Sequence, residues 1–225
     1  QGLIDMASIF PLLNSETLIS SMTALVKKAE TSKEGLLMML SLADKYLYGT
    51  ASPLYNEAAY RGLLQSALIS KTLNKADKEP YQKQLVILEM NNEGSAAVDF
   101  DMQLVDGSKA KLSDIEAPVS ILFFYAADNL DCKLQRFRLT QARWGNYLQR
   151  AGGIKIVAVC VEGDKAAWEK FRADSPKEWL HVFDASGKIK SENLYDLRTL
   201  PRLYLLDEQK TVLLKNTKAD DIEQY

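Results

Sequence analysis

The stretch Pro118–Cys132 reads PVSILFFYAADNLDC. Its apolar run, Val119–Tyr125, stops at the small and polar residues Ala126–Asp131, and a helix-period segment follows from Cys132. A buried strand that feeds a helix through a tight polar loop delivers the helix start to the carboxyl edge of a sheet, where α/β proteins commonly place their chemistry. The residue delivered here is a cysteine. Function therefore turns on whether Cys132 is a working thiol.

Outward from this segment the pattern alternates strand and helix. The helix from Cys132 is expected to run to about Arg150, with Leu134, Phe137, Trp144 and Leu148 facing inward, and Ala151-Gly152-Gly153 ends it. Ile154–Val161 is a near-continuous apolar strand, the pattern of one covered on both faces. A short helix at Ala166–Ala173, a strand at Trp179–Phe183 and a hairpin of Leu203–Leu206 with Thr211–Leu214 follow, and a last helix starts near the acidic Asp220-Asp221. Upstream, Phe100–Val105 alternates, Asp106-Gly107 turns, and Ala110–Leu112 returns. The whole is a mixed α/β sheet.

Asn91–Gly94 marks a change of period, which predicts a helical domain over residues 1–93 and an α/β domain over 94–225. In the first, Asn14 and Ser15 start a helix with Leu18, Met22, Leu25 and Val26 on one face. Leu36, Leu40, Ala43 and Leu47 form a second stripe that ends at Gly49. Ser52 caps a third helix with Pro53 at its first position, and a fourth spans about Lys78–Met90.

Composition narrows the function classes. A net charge of -2 over 225 residues, with no basic run, argues against nucleic acid as a partner. No apolar stretch reaches the ~18 residues of a membrane helix. The start at Gln1-Gly2, without Met or signal peptide, reads as a processed or trimmed terminus. The two cysteines, Cys132 and Cys160, lack metal-site spacing, and His181 is the only histidine, so neither a metal nor a cofactor is expected. Cys160, on one strand face with Ile156 and Ala158, reads as a core thiol, and His181 as a strand residue without a special role.

Several motifs are shared with a known family. Ala97-Val98-Asp99-Phe100, Asp106-Gly107 and Leu112-Ser113-Asp114 resemble the entry hairpin of TlpA/ResA-type thiol-disulfide oxidoreductases. Phe123–Ala126 resembles the strand before their active-site loop, and Leu200-Pro201 with Leu203–Asp207 resembles their proline loop and the next strand. Tyr46-Leu47-Tyr48, Ser52-Pro53, Asn56-Glu57 and Tyr60 resemble the helical domain that precedes such domains in secreted proteins of Gram-negative anaerobes. The resemblance implies a thioredoxin-like mixed sheet preceded by a small all-α domain, a periplasmic or cell-envelope setting, and a cis Leu200-Pro201 bond. Family members with redox activity carry C-x-x-C where this chain has Asn129-Leu130-Asp131-Cys132. A dithiol cycle needs one low-pKa thiolate to attack and a second thiol to resolve, and Asn129 does neither.

Three roles follow from the resemblance and stay open here. The degenerate site binds a protein or peptide partner, through a thiol or as an extended segment, at Asn129, Leu130, Asp131, Thr199, Leu200 and Pro201. Alternatively, Cys132 works alone as the catalytic monothiol of an oxidoreductase, or the chain is an adaptor working through its helical domain.

Overall fold

The computed structural model describes residues 15–49, 52–144 and 153–225, which divide into two compact units, Gln1–Glu89 and Met90–Tyr225.

The described residues of the first unit form helices and their connections: α1 (Ser15–Ala29), α2 (Lys33–Ala43, continued as a π-turn over Asp44–Tyr48), α3 (Glu57–Ile69) and α4 (Lys75–Glu89). Met22 and Val26 meet Leu36, Leu40, Ala43 and Leu47, the expected stripes, and Tyr60, Leu63, Leu64 and Ala67 close the core. Ring stacking of Tyr48 on Tyr60 (centroids 4.6 Å apart) joins the π-turn to α3. Asn14 lies outside the described residues, as does the side chain of Leu18.

Two helix starts differ from the sequence expectation. Residues Ser52 and Pro53 form a turn, in which the Ser52 hydroxyl donates to the Tyr46 carbonyl (2.6 Å) and accepts from the Leu54 amide (3.1 Å). The cap of α3 is Asn56, whose Oδ1 accepts from the Ala59 amide at 2.9 Å. Likewise α4 starts three residues before Lys78, because Asn74 and Asp77 cap each other's amides, and Pro80 is carried inside the helix. Gly49 has an ordinary φ of -64°, so it is not a left-handed cap. Glycine is needed there for closeness: a Cβ would lie 2.2 Å from the Lys45 carbonyl oxygen.

Among the described residues the second unit has seven strands: β1 (Asp101–Leu104), β2 (Lys109–Lys111), β3 (Val119–Ala126), β4 (Ile154–Glu162), β5 (Leu180–Phe183), β6 (Arg202–Asp207) and β7 (Val212–Thr217). They form one sheet in the order β2-β1-β5-β4-β3-β6-β7. The β3-β4-β5 centre is parallel, and both flanks are antiparallel. Among the described residues the helices of this unit are α5 (Leu130–Gln141), α6 (Lys165–Ala173), α7 (Lys188–Ser191) and α8 (Ala219–Gln224).

The continuous apolar run of β3 follows from burial on both faces. Side chains alternate, so Ile121, Phe123 and Tyr125 join Cys132, Leu139, Trp168 and Phe171, whereas Leu122 and Phe124 join Phe100, Met102, Tyr195 and Tyr204. Trp168 and Trp179 are core residues, and His181 is a buried strand residue whose Nε2 lies 3.4 Å from the Pro176 carbonyl.

Helix α5 overturns the expected inward face. It begins at Leu130, ends at Gln141 and buries Cys132, Gln135 and Leu139. Leu134 and Phe137 point to solvent, 47% and 61% exposed. The buried phase is set by Cys132 under the loop and by Gln135, whose Oε1 accepts from the Ala219 amide (3.1 Å). Trp144 is partly buried against the same core. Leu148, Arg150 and the expected Ala151-Gly152 terminus lie outside the described residues.

The caps and the close approach set a ranking for the first unit. Asn56→Ala is expected to cost about 1 kcal/mol for the lost cap, and Gly49→Ala roughly 1–3 kcal/mol for the clash with the Lys45 carbonyl. Denaturant melts followed by far-UV circular dichroism measure both, and equal stability of Gly49→Ala and the wild type would contradict the packing argument.

Candidate functional site

The parallel strands end together. Tyr125 pairs with Cys160 and Ala126 with Glu162, after which β3 passes into a loop and α5. The loop is held by backbone: the Ala127 amide donates to the Glu162 carbonyl (2.9 Å) and the Asn129 amide to the Ala126 carbonyl (3.2 Å). Asn129 then caps α5, its Oδ1 accepting from the Cys132 amide at 3.0 Å. An asparagine at this position satisfies a donor that the first helical turn would leave open.

Cys132 lies beneath this cap, fully buried. Its Sγ accepts from the Ala126 amide (3.4 Å). Burial pushes the thiol up to about 12, helped by the negative charges of Asp131 and Glu162, and the Ala126 amide opposes the rise only in part. A helix amino terminus favours thiolate, but here desolvation is the larger effect. The Cys160 thiol donates to the Glu162 carbonyl (3.3 Å), and burial pushes it up to about 11. Both thiols are free.

The proline segment meets the same edge. Phe124 pairs with Arg202, so Leu200 and Pro201 continue alongside the end of β3. The Leu200-Pro201 bond is cis. Leu200 packs against the cluster that contains Cys132 and Ala126, and Thr199, Leu200 and Pro201 are all half-buried. Thus Asn129 and Cys132 touch directly, Leu200 packs on the core that holds Cys132, and Leu130 (79% exposed) and Asp131 face solvent.

Two features were missed by the sequence reading. Leu130, Leu134 and Phe137, spaced i, i+4 and i+7, form an exposed apolar stripe along α5 that starts at the loop. Behind the proline segment, buried Asp196 takes a two-pronged hydrogen bond from Arg198 (2.8 and 2.9 Å). Burial alone would raise that carboxyl, but Arg198, assisted by Arg202, holds it below the usual carboxylate range. An Asp two residues before an Arg, next to a proline turn, is the only local signal for that pair. Among the described residues no cluster of His, Cys, Asp and Glu could hold a metal ion, and no helix is long and apolar enough to cross a membrane.

Residues 94–215 match the AhpC/TSA family. The chain belongs to that family. Its AhpC/TSA domain is preceded over residues 1–91 by a match to a domain of unknown function, DUF5106. The fold is thioredoxin-like. A thioredoxin-like protein from Bacteroides caccae is similar over 98% of this chain and 80% of its own, with 28% identity and a TM-score of 0.89. The carboxyl-terminal domain of an uncharacterised Bacteroides fragilis protein is 35% identical over 60% of this chain and 96% of its own, with a TM-score of 0.56. The thioredoxin domain of a Bacteroides vulgatus thiol-disulfide oxidoreductase, 19% identical with a TM-score of 0.51, is similar in fold. No curated protein matches.

The thiols of the AhpC/TSA domain give a pH expectation. Their folded pKa values lie above the ordinary value near 9, so the fold holds protons that the unfolded chain releases. The stability this contributes is complete below about pH 9 and is lost as pH rises toward 11 and 12. At about pH 8 an aromatic disulfide reagent is expected to label neither cysteine in the native protein and both in denaturant. Fast native labelling of Cys132 would contradict the burial assigned to it.

Proposed function

We propose that the AhpC/TSA domain is a thiol-redox scaffold without dithiol turnover, which holds an extended protein or peptide segment at the edge formed by the 126–132 loop, α5 and Thr199–Pro201. The observation that carries this reading is the pairing of Asn129 with Cys132. At the attacking position stands a side chain spent on capping the helix, and the one remaining sulfur is buried beneath it. Neither an exposed thiolate nor a resolving pair is present, and thiol exchange requires an accessible thiolate.

Binding is supported by what the same edge presents. The stripe Leu130, Leu134 and Phe137 starts where the loop ends, and exposed apolar side chains in a row are a common feature of partner sites. Leu130 and Leu200 offer apolar contact on either side of the loop. The monothiol alternative requires Cys132 to emerge, which would empty its place in the core and break its contact with the Ala126 amide. We place the protein in the periplasm or cell envelope, a reading supported by its resemblance to secreted thioredoxin-like proteins.

Insulin reduction tests the redox half. The wild type is expected to run at the uncatalysed rate, and Asn129→Cys, which restores the C-x-x-C pattern, to exceed it by about tenfold or more. Wild-type turnover abolished by Cys132→Ser would overturn the proposal. For the binding half, selection from a random peptide library followed by titration is expected to show Phe137→Lys weakening the selected peptides by about tenfold. The melt should stay unchanged, since this side chain is 61% exposed.

A further inference from the structure

Behind the proline segment lies a charge cluster with one partner too few. Asp196, its side chain 1% exposed, is bound by Arg198 through both oxygens, Nε to Oδ1 (2.8 Å) and Nη2 to Oδ2 (2.9 Å). A two-pronged bond of this kind matches the planar fork of one guanidinium to one carboxylate. Arg202 stands outside it. Its Nη2 comes only within 4.0 Å of Asp196 Oδ2, too far for a hydrogen bond. The cluster therefore sets two guanidinium groups against a single carboxylate, a balance of +1.

Arg202 is also poorly served as a donor. Its side chain is 11% exposed, yet Nε and Nη2, both buried, make no hydrogen bond among the described residues. Buried polar groups are normally bonded, and buried charges are normally paired. The fold does not account for the exception, since Asp196 is already held by Arg198. Replacing a buried ion by an apolar side chain is often neutral or stabilising, so stability gives no reason for a cation here.

Position supplies the reason. Arg202 directly follows the cis Leu200-Pro201 bond, and it pairs with Phe124, two positions before Ala126. Paired residues share a face, so the Arg202 side chain lies with Phe124 and Tyr204, on the side of the sheet opposite Cys132. Leu200 packs against the cores of both faces, so a segment laid along Thr199–Pro201 borders this side as well. The carboxylates of the loop belong elsewhere: Asp131 acts on Cys132 and Asp128 on Cys160, both on the other face, and Glu162 is paired with Lys190.

We infer that Arg202 determines the specificity of the proposed peptide edge, by taking an acidic side chain, Asp or Glu, of the bound segment. This rests on the reading that the edge holds an extended segment. The missing partner must bring a negative charge as well as an acceptor; water brings only the acceptor, and a carboxylate brings both. It meets the guanidinium at the Nη1 end, because Nε and Nη2 are closed to solvent.

The test uses peptides selected on the full chain, each prepared with its Glu and Asp residues kept and with them changed to Gln and Asn. The acidic forms are expected to bind about tenfold more tightly. They should also shift the Nε–H resonance of Arg202, which acetate at the same concentration should leave in place. Arg202→Met is expected to bind both forms alike and to melt no lower than the wild type, whereas Arg202→Lys should keep part of the preference. If peptides bind, and Phe137→Lys weakens them, but acidic and amide forms bind equally, the inference falls and the peptide edge stands. An unmoved Arg202 resonance, an equal shift with acetate, or a marked loss of stability in Arg202→Met would overturn it too. Failure of any peptide to bind would remove both this inference and the reading beneath it.

Discussion

Burial of β3 on both faces is the constraint from which the second unit follows. Every side chain from Val119 to Tyr125 is buried, and all but Ser120 belong to one core or the other, so no residue along the strand is available for a ligand. Chemistry can occur only where the strand stops. The same commitment fixes its neighbours: β4 and β6 must lie on either side to satisfy the backbone, and helices must cover the face that holds Phe123 and Tyr125. The 126–132 loop is where this dense packing gives way to solvent, which is why its few exposed groups carry the functional argument.

At that loop two physical effects compete over one sulfur. The helix terminus and the Ala126 amide favour charge on Cys132, whereas complete burial and the nearby carboxylates Asp131 and Glu162 oppose it. Desolvation of a fully buried ion is worth several pKa units and a helix terminus less than one or two. The outcome is a neutral thiol that packs as a small apolar group. Asn129 strengthens the arrangement, since its cap ties the start of α5 to the residue that would otherwise have to move.

Much of this fold could be read from residues alone, because the signals are strong where burial is two-sided. Val119–Tyr125 and Ile154–Val161 have few polar positions to misplace, and both strands run close to the expected limits. The phase of α5 was not legible. Gln135 is a polar residue on the buried face, satisfied by a backbone amide eighty-four positions away, while Leu134 and Phe137 are apolar residues on the exposed one. Hydropathy weighs each residue by type and so inverted the face. Near α3 the sequence offers two caps in succession, and only the turn made by Ser52 assigns the role to Asn56. As for Cys132, spacing places it at a helix start, but its depth depends on residues from β4 and α6 that no local pattern reports.

The alternation along β3 has a consequence for how mutations combine. Phe123 and Phe124 are adjacent in the chain, yet one stacks on Tyr125 and meets Trp179 edge-on, while the other contacts Tyr195 and Tyr204. The sheet backbone stands between those two sets of rings. In a double-mutant cycle Phe123 should couple to Trp179 at the far side of the helix-covered face, and scarcely to its own covalent neighbour. Energetic proximity in this domain follows parity, with distance along the chain a poor guide to it.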